Sequence, residues 1–185
     1  MTTQPTPTDP GLLLDAQLCF RLYRSERAVL ATYRELLADL GVTYPQYLVL
    51  LVLWETDGAT VSHLGSRLAL ESGTLSPLLR RMETAGLVLR ERSGDDERVV
   101  HVRLTDAGRA LQTRAHGVPH DLARRGGLDT AETLELARLL DRLCSNLGAP
   151  EPTVDTAIDE AFGSPQNPHP ASARTPGAPT DGDRS

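Results

Sequence analysis

The chain has 185 residues and a formal net charge of −6 at pH 7. It contains two cysteines, Cys19 and Cys144, and this low number excludes the disulfide framework of a small secreted domain. No window holds the roughly 18 consecutive apolar residues of a membrane span, and residues 1–10 have neither the basic start nor the apolar stretch of a secretory signal, so we predict a cytoplasmic protein with no membrane partner. The acidic balance does not exclude nucleic acid as a partner, because residues 150–185 carry −4 of the total.

Two helices are predicted near the start of the chain. Residues 1–11 are rich in threonine and proline and are predicted to be disordered. A first helix is predicted over about 12–40, where apolar residues recur at helical spacing until Gly41 and Pro45 end the run. The segment that follows, PQYLVLLVLWE, has its proline at a favoured first-turn position and is apolar nearly all round. It is predicted to be a buried helix, although its length alone would also fit a core strand.

Residues 60–104 are predicted to form a DNA-binding head. Ser62 can cap a short helix, and a second helix is predicted to begin near Ser72. After Gly86, a typical helix stop, LVLRER and VVHVRL alternate apolar and polar residues as the two strands of a hairpin do. Two short helices followed by a hairpin predict a winged helix-turn-helix.

The second helix of this head has an apolar side and a polar side. Its apolar side is formed by Leu75, Leu78, Leu79 and Met82. Its other side carries the residues predicted to bind DNA, which are Ser72, Thr74, Ser76, Arg80 and Arg81. Small hydroxyl groups admit close approach in the major groove, and guanidinium groups bind phosphates and base edges, so double-stranded DNA is the predicted partner. Pro77, about one turn inside the helix, is not explained by helix propensity.

The turn of the hairpin, SGDDER, places Arg98 directly after three acidic residues. We predict that Arg98 contacts the minor groove, with Asp96 orienting its guanidinium group. The alternative is an ordinary charged surface, since residues 67–103 carry a net charge of only +1. The helix-turn-helix topology favours DNA binding.

Further helices are predicted over about 106–147, after the hairpin. Thr105 is a predicted N-cap of the first, and Asp129 with Glu132 is a predicted capping box of the last. The last helix carries a stripe of leucines that requires an apolar partner, formed by Leu136, Leu140, Leu143 and Leu147. Residues 149–185 are rich in proline, alanine and threonine and are predicted to be a disordered acidic tail, with a short amphipathic turn at 154–162 as the less favoured alternative.

Four segments, QLCFRLY, TYPQYLVLLVLWE, LESGTLSPLLRRME and DDERVV, resemble the organic-hydroperoxide-sensing repressors of the MarR family. The resemblance covers about residues 12–145. It implies a mainly helical (α+β) fold with a small β-hairpin wing, in one winged helix-turn-helix domain over 12–148. It also implies a homodimer built on interleaved helices at about 12–40 and 106–147, with two heads roughly 34 Å apart that bind an inverted-repeat operator.

The same resemblance implies that Cys19 is the peroxide-reactive residue and that Tyr23 and Tyr33 stabilise its thiolate by hydrogen bonding. Such help is needed because an ordinary thiol is mostly protonated at neutral pH. Tyr23 lies one turn from Cys19 on the same helix face, whereas Tyr33 lies roughly 21 Å along the helix and can meet Cys19 only across the dimer or through a broken helix. The neighbouring arginines, including Arg27, are not predicted to activate the thiol. Cys144 is predicted to pack on the leucine stripe.

The sequence therefore favours a repressor that releases its operator when an organic hydroperoxide oxidises Cys19, after which a small cellular thiol caps the oxidised sulfur. The alternative is a MarR-type repressor released by a small aromatic or phenolic ligand, with Cys19 structural. A thiol peroxidase is disfavoured, so we do not expect an enzyme. No cofactor or metal is predicted either, because His116 and His120 are separated by Gly117 and Pro119 and lack a third ligand.

Overall fold

The structure, a computed structural model, describes residues 9–94 and 98–148. Within these residues the chain forms, in order, α1 (Leu18–Leu36), α2 (Tyr44–Glu55), β1 (Ala59–Thr60), α3 (Val61–Leu68), α4 (Ser72–Thr84), β2 (Val88–Arg92), β3 (Val100–Leu104), α5 (Asp106–Ala115), α6 (Val118–Gly126) and α7 (Thr130–Asn146). Short 3-10 turns lie at Pro10–Leu12, Leu14–Ala16 and Ala38–Leu40. The predicted order of two short helices and a hairpin wing in a mainly helical chain is confirmed. None of the described helices is long and apolar enough to cross a membrane.

The first helix is shorter than the predicted span of about 12–40. Gln17 has an extended backbone and precedes α1, and its side-chain amide donates hydrogen bonds to the carbonyls of Gly11 and Leu13, so the chain before it forms only 3-10 turns. At the other end, Gly41 adopts a left-handed backbone with φ of 69°, which ends the last 3-10 turn. Residues 9–11, predicted to be disordered, include the start of a 3-10 turn, and residues 1–8 lie outside the described residues.

The second helix, α2, is the central element of the core, and the alternative of a core strand is wrong. The side chain of Gln46 accepts a hydrogen bond from the Thr43 backbone N–H, which fixes its first turn. Its buried residues lie on opposite sides of the helix, Tyr47 on one side and Val49 and Val52 on the other. The helix is covered because α1, α3, α4, α5 and β3 all pack against it.

The wing and β1 form one antiparallel sheet in the order β1-β3-β2. Val88 pairs with Leu104 and Arg92 with Val100, while Ala59 of β1 pairs with Val102 on the other side of β3. The N-cap of α3 is Thr60, whose hydroxyl accepts from the His63 N–H at 3.1 Å, so the prediction of Ser62 as the cap is wrong. The strand β1 places Thr60, rather than Ser62, where the helix begins.

Asp57, in the turn between α2 and β1, joins three parts of the fold. Its Oδ1 accepts hydrogen bonds from the backbone N–H groups of Leu104 at 2.8 Å and Gly58 at 3.0 Å. Its Oδ2 forms an ion pair with Arg109 of α5. Partial burial by itself would raise the pKa of Asp57, but the Leu104 N–H and the Arg109 guanidinium outweigh it and hold that pKa below its usual range.

The predicted caps of the later helices are confirmed. The Thr105 hydroxyl accepts from the Gly108 N–H, and Asp129 and Glu132 form the reciprocal capping box of α7. The span 106–147 is divided into three helices, with breaks at 116–117 and at Gly127, which has φ of 68°. These breaks turn α6 back against α1.

The two terminal helices of the described chain leave apolar side chains in solvent. Neither α1 nor α7, both fully described, has a buried residue. Large apolar side chains stay exposed on both, including Leu18, Tyr23 and Val29 on α1 and Leu136 and Leu140 on α7. Cys144 is exposed as well, so the packing predicted for it is not found within one chain. Exposed apolar side chains in this number are typical of an interface with another chain.

Candidate nucleic-acid interface and redox cysteine

The exposed side of α4 is held in place by its buried side. Leu75, Leu78, Leu79 and Met82 are buried against the core, and α4 packs on α2, α3 and β2. The helix continues through Pro77, which is exposed. Of the predicted DNA-binding residues on α4, Ser72, Thr74, Arg80 and Arg81 are exposed and Ser76 is half-buried. Because the buried leucines fix its rotation, α4 presents these polar side chains on one outward side.

A cavity of about 720 Å³ lies between α3, the start of α4 and the wing. Among the predicted residues, Ser72, Ser76 and Arg98 line it, whereas Thr74, Arg80 and Arg81 do not. Asp96 lies outside the described residues, so the structure does not describe its predicted role beside Arg98. The cavity brings the predicted major-groove helix and the predicted minor-groove wing onto one surface.

Five further polar residues line this cavity that were not among the predicted site residues, one of them Thr60, the N-cap of α3. The other four are Ser62 and Ser66 on α3 and Arg90 and Arg92 on β2. The alternation of side chains along a strand places Arg90 and Arg92 on one shared face, because residues two apart point to the same face. That signal does not say which face meets α3 and α4, and only the packing of the sheet decides it.

The two faces of β2 have different charges. Arg90 is opposite Val102 and Arg92 is opposite Val100 on β3, so both arginines share the face on which Val102 is buried. Glu91 lies on the other face and pairs with Arg103 at 3.0 Å. Arg90 is held by Glu83 of α4, with 3.3 Å between its Nε and the carboxylate.

Cys19 lies in the first turn of α1 and is exposed. Tyr23, one turn later, is also exposed, and the described residues show no hydrogen bond between Tyr23 and the Cys19 sulfur. Arg27 donates a hydrogen bond to the Tyr23 hydroxyl at 3.2 Å, and its guanidinium carbon lies 5.6 Å from the centre of the Tyr23 ring. Arg27 thus orients Tyr23, a contact that the sequence analysis did not predict, while the prediction that the arginines do not activate the thiol stays a prediction. The bond from Arg27 uses an acceptor site of the hydroxyl and leaves its own hydrogen to be donated.

Tyr33 lies near the other end of α1, and the structure does not bring it to Cys19 within one chain. Its ring packs against Tyr44 and Tyr47 of α2, with centroid distances of 4.5 and 6.0 Å. Burial, together with these two neighbours, raises the pKa of the Tyr33 phenol well above its usual value. Tyr33 is therefore a protonated hydrogen-bond donor at neutral pH.

An apolar groove of about 390 Å³ lies between α1, α6 and α7. Tyr33 lines it, together with Val29 of α1, Leu122 of α6, Leu136 of α7 and Leu128 between them. Tyr33 thus faces a groove open to an apolar group, beside the surface that α1 and α7 leave exposed. No cluster of three or more potential metal ligands occurs in the described ranges, and His116 and His120 are both exposed.

Comparison with known proteins gives one consistent family. The model of the transcriptional regulator SarA/Rot family matches residues 31–114. The chain is 50% identical over 141 residues to the HTH-type transcriptional regulator TtmR of Methylorubrum extorquens, an alignment that covers 76% of the chain and 70% of that protein. It is also 50% identical over 106 residues to the organic hydroperoxide resistance transcriptional regulator of Bacillus subtilis, covering 57% of the chain and 72% of that protein.

Among solved structures, the chain is similar to reduced AbfR of Staphylococcus epidermidis bound to DNA. The TM-score is 0.64 at 36% sequence identity, and the match covers 72% of the chain and 94% of that structure.

Proposed function

Because the chain belongs to the winged-helix transcriptional regulators of the MarR and SarA/Rot type, we propose that it is a homodimeric repressor that releases its DNA operator when an organic hydroperoxide oxidises Cys19. The observation that carries the proposal is the exposed Cys19 one helical turn before Tyr23, whose hydroxyl is oriented by Arg27 and retains its hydrogen. The similarity to the Bacillus regulator named for organic hydroperoxide resistance supports the class of inducer.

The DNA is proposed to be a double-stranded inverted repeat. The exposed side of α4 would enter the major groove, with Ser72, Thr74 and Ser76 close to base edges and Arg80 and Arg81 on phosphates and bases. Arg98, oriented by Asp96, would contact the minor groove. The similarity to AbfR, which was solved bound to DNA, supports DNA as the partner.

The homodimer would form on the apolar surface of α1 and α7. Leu18, Leu136 and Leu140 are at least one-third exposed in the single chain, and pairing two copies would remove them from water. Pairing of the two chains would also bring the second predicted tyrosine, Tyr33, to the Cys19 thiolate. Cys19 and Tyr33 lie roughly 21 Å apart along α1, so Tyr33 would have to come from the partner chain to donate to the sulfur.

The chemistry is a two-electron oxidation of sulfur. The Cys19 thiolate would attack one oxygen of the hydroperoxide, the O–O bond would break, and the departing alkoxide would take a proton and leave as an alcohol, so that Cys19 becomes a sulfenic acid. A small cellular thiol would then condense with this sulfenic acid, giving a mixed disulfide and water. Because the new group is larger and polar, it would disturb the contacts of the apolar interface and the spacing of the two heads.

The test measures operator binding by fluorescence anisotropy before and after one equivalent of cumene hydroperoxide, with a small thiol such as free cysteine present to cap the sulfenic acid. We expect release by the wild type and by Cys144→Ser, which removes the other thiol, and retention by Cys19→Ser. Retention by the wild type, or release by Cys19→Ser, would refute the proposal. Consumption of many equivalents of hydroperoxide per chain would instead indicate an enzyme.

A second candidate function rests on the apolar groove beside Tyr33. A groove of about 390 Å³ is large enough for a small aromatic ligand, and Tyr33 offers it a hydrogen-bond donor. In that case Cys19 would be structural, and a phenolic compound such as salicylate would release DNA equally from the wild type and from Cys19→Ser.

A further inference from the structure

The cavity between α3, α4 and the wing is lined by three arginines in a chain whose net charge is −6. Its polar lining includes four serines and three arginines, namely Ser62, Ser66, Ser72, Ser76, Arg90, Arg92 and Arg98. Among the described residues that line it there is no carboxylate. Serine hydroxyls and guanidinium groups are the side chains that bind phosphate oxygens, so the lining suits an anion with several oxygen atoms.

Arg90 and Arg92 are presented to the cavity from one rigid strand. They are two residues apart on β2, which places their Cα atoms about 7 Å apart on the same face. Pairing with Val102 and Val100 on β3 fixes that face, and the buried Val102 anchors it to the core. The structure therefore positions two guanidinium groups in a row along the wall of the cavity.

The two arginines differ in their surroundings. Arg90 is tied to Glu83 of α4 through both its side chain and its backbone N–H, so part of its charge is balanced and its geometry is set. Arg92 forms no ion pair with any residue in the ranges 9–94 and 98–148. Of the two, Arg92 has the more available positive charge for a ligand.

We propose that this cavity, the serine–arginine channel, holds the sugar-phosphate backbone of the DNA strand that runs between the groove entered by α4 and the groove reached by the wing. Arg92 is its main phosphate contact, and Arg90, set by Glu83, is the second. The inference rests on the proposed function, since it names the part of DNA that this surface binds.

Continuity with α4 favours a DNA backbone over a small free anion. Ser72 and Ser76 belong both to the channel and to the polar side of α4, so a DNA duplex in contact with α4 extends directly into the channel. A volume of about 720 Å³ is also far more than one phosphate group fills. Phosphate contacts position a protein on the duplex without reading sequence, so the channel adds affinity and register rather than specificity.

The test compares Arg92→Ala with the matched control Arg103→Ala. Arg103 lies on the opposite face of the same sheet, so its removal changes the net charge equally but leaves the channel intact. Losing one phosphate contact per subunit removes two per dimer, so the slope of log affinity against log salt should fall by about 1.8. Between 50 and 200 mM salt the wild type then loses about 12-fold more affinity than Arg92→Ala does. Arg103→Ala should keep the wild-type slope.

Further measurements separate the outcomes. Arg92→Ala should weaken operator and unrelated duplex by the same factor, because a phosphate contact carries no sequence information. Arg92→Lys, which keeps the charge, should retain most of the slope. A slope for Arg92→Ala equal to that of Arg103→Ala overturns the inference. The inference is also overturned if the channel binds a free anion instead of DNA. In that case phosphate would raise the melting temperature of the wild type but not of Arg92→Ala, and the two proteins would bind DNA equally.

Failure of the proposed function gives a different result. A wild type that binds no duplex at all refutes DNA binding, and the channel with it. A wild type that binds DNA but ignores hydroperoxide refutes only the sensing by Cys19, and the salt experiment on Arg92 still decides the channel.

Discussion

Replacing Asp57 tests how the head is attached to the helices that follow it. In Asp57→Ala the Leu104 N–H, which is part-buried, loses its acceptor, and an unsatisfied group of this kind costs about 1 to 3 kcal/mol. The ion pair with Arg109 adds less than about 1 kcal/mol, because the Arg109 side chain is 53% exposed and water screens it. We therefore expect Asp57→Ala to lower the free energy of unfolding by about 1 to 4 kcal/mol.

Asp57→Asn separates the two contributions, because an amide oxygen can still accept from the N–H groups of Leu104 and Gly58. It should lose only the charge interaction with Arg109, about 1 kcal/mol or less. The assay is urea unfolding at pH 7 followed by circular dichroism, at one fixed protein concentration because a dimer makes stability depend on concentration. If Asn destabilises the protein as much as Ala does, the hydrogen bond to Leu104 is not the main contribution.

The difference in unfolding free energy between the wild type and Asp57→Asn should depend on pH in one direction only. The pKa of Asp57 is lower in the folded protein than in the unfolded chain, so its ionisation stabilises the fold above the unfolded value of about 3.9. That stabilisation is lost as the pH falls through the lowered folded pKa. The difference between the wild type and Asp57→Asn should be constant from pH 7 to about pH 5 and shrink below about pH 4. A difference that grows on acidification would contradict the assigned hydrogen bonds.

Two other substitutions probe packing and the redox site. A Cβ on Gly108 would lie 2.2 Å from the carbonyl oxygen of Leu87, so Gly108→Ala should lower the free energy of unfolding by about 3 kcal/mol or more. Gly117 has open space around it, so the control Gly117→Ala should be nearly neutral. Thermal unfolding compares the two variants, and equal melting temperatures would refute the clash. Tyr33→Phe should slow oxidation of Cys19 in a stopped-flow thiol assay without changing operator affinity; an unchanged rate would show that Tyr33 gives no hydrogen bond to the sulfur.

Local features of the sequence were sufficient where cause and effect lie within a few residues. The capping box of Asp129 and Glu132, the Thr105 cap and the buried character of α2 were predicted because a cap and its N–H groups, or an apolar face, are neighbours in sequence. The cap of α3 was misplaced because both Thr60 and Ser62 can act as caps, and the strand pairing of β1 decides between them.

The candidate site was only partly predictable for the same reason. Ser72, Ser76 and Arg98 could be proposed from a polar helix side and a hairpin turn. Arg90 and Arg92 could not, since the alternation along β2 gives two faces and does not say which of them meets α3 and α4. The contact between Arg27 and Tyr23 was missed although the two residues are four apart, a spacing that already permits such a pair on a helix.

The sequence by itself determined the winged helix-turn-helix order, the buried character of α2, the caps of α5 and α7 and the family, because periodicity, caps and motifs depend on residues that are neighbours in sequence. Only the tertiary structure decided that Asp57 reaches Leu104 and Arg109, that Tyr33 packs on Tyr44 and Tyr47, and that the arginines of β2 face the serines of α3. These contacts join residues that are distant along the chain. A hydrophobic pattern shows which face of an element is buried, but the residue that lies opposite depends on how all the elements pack together.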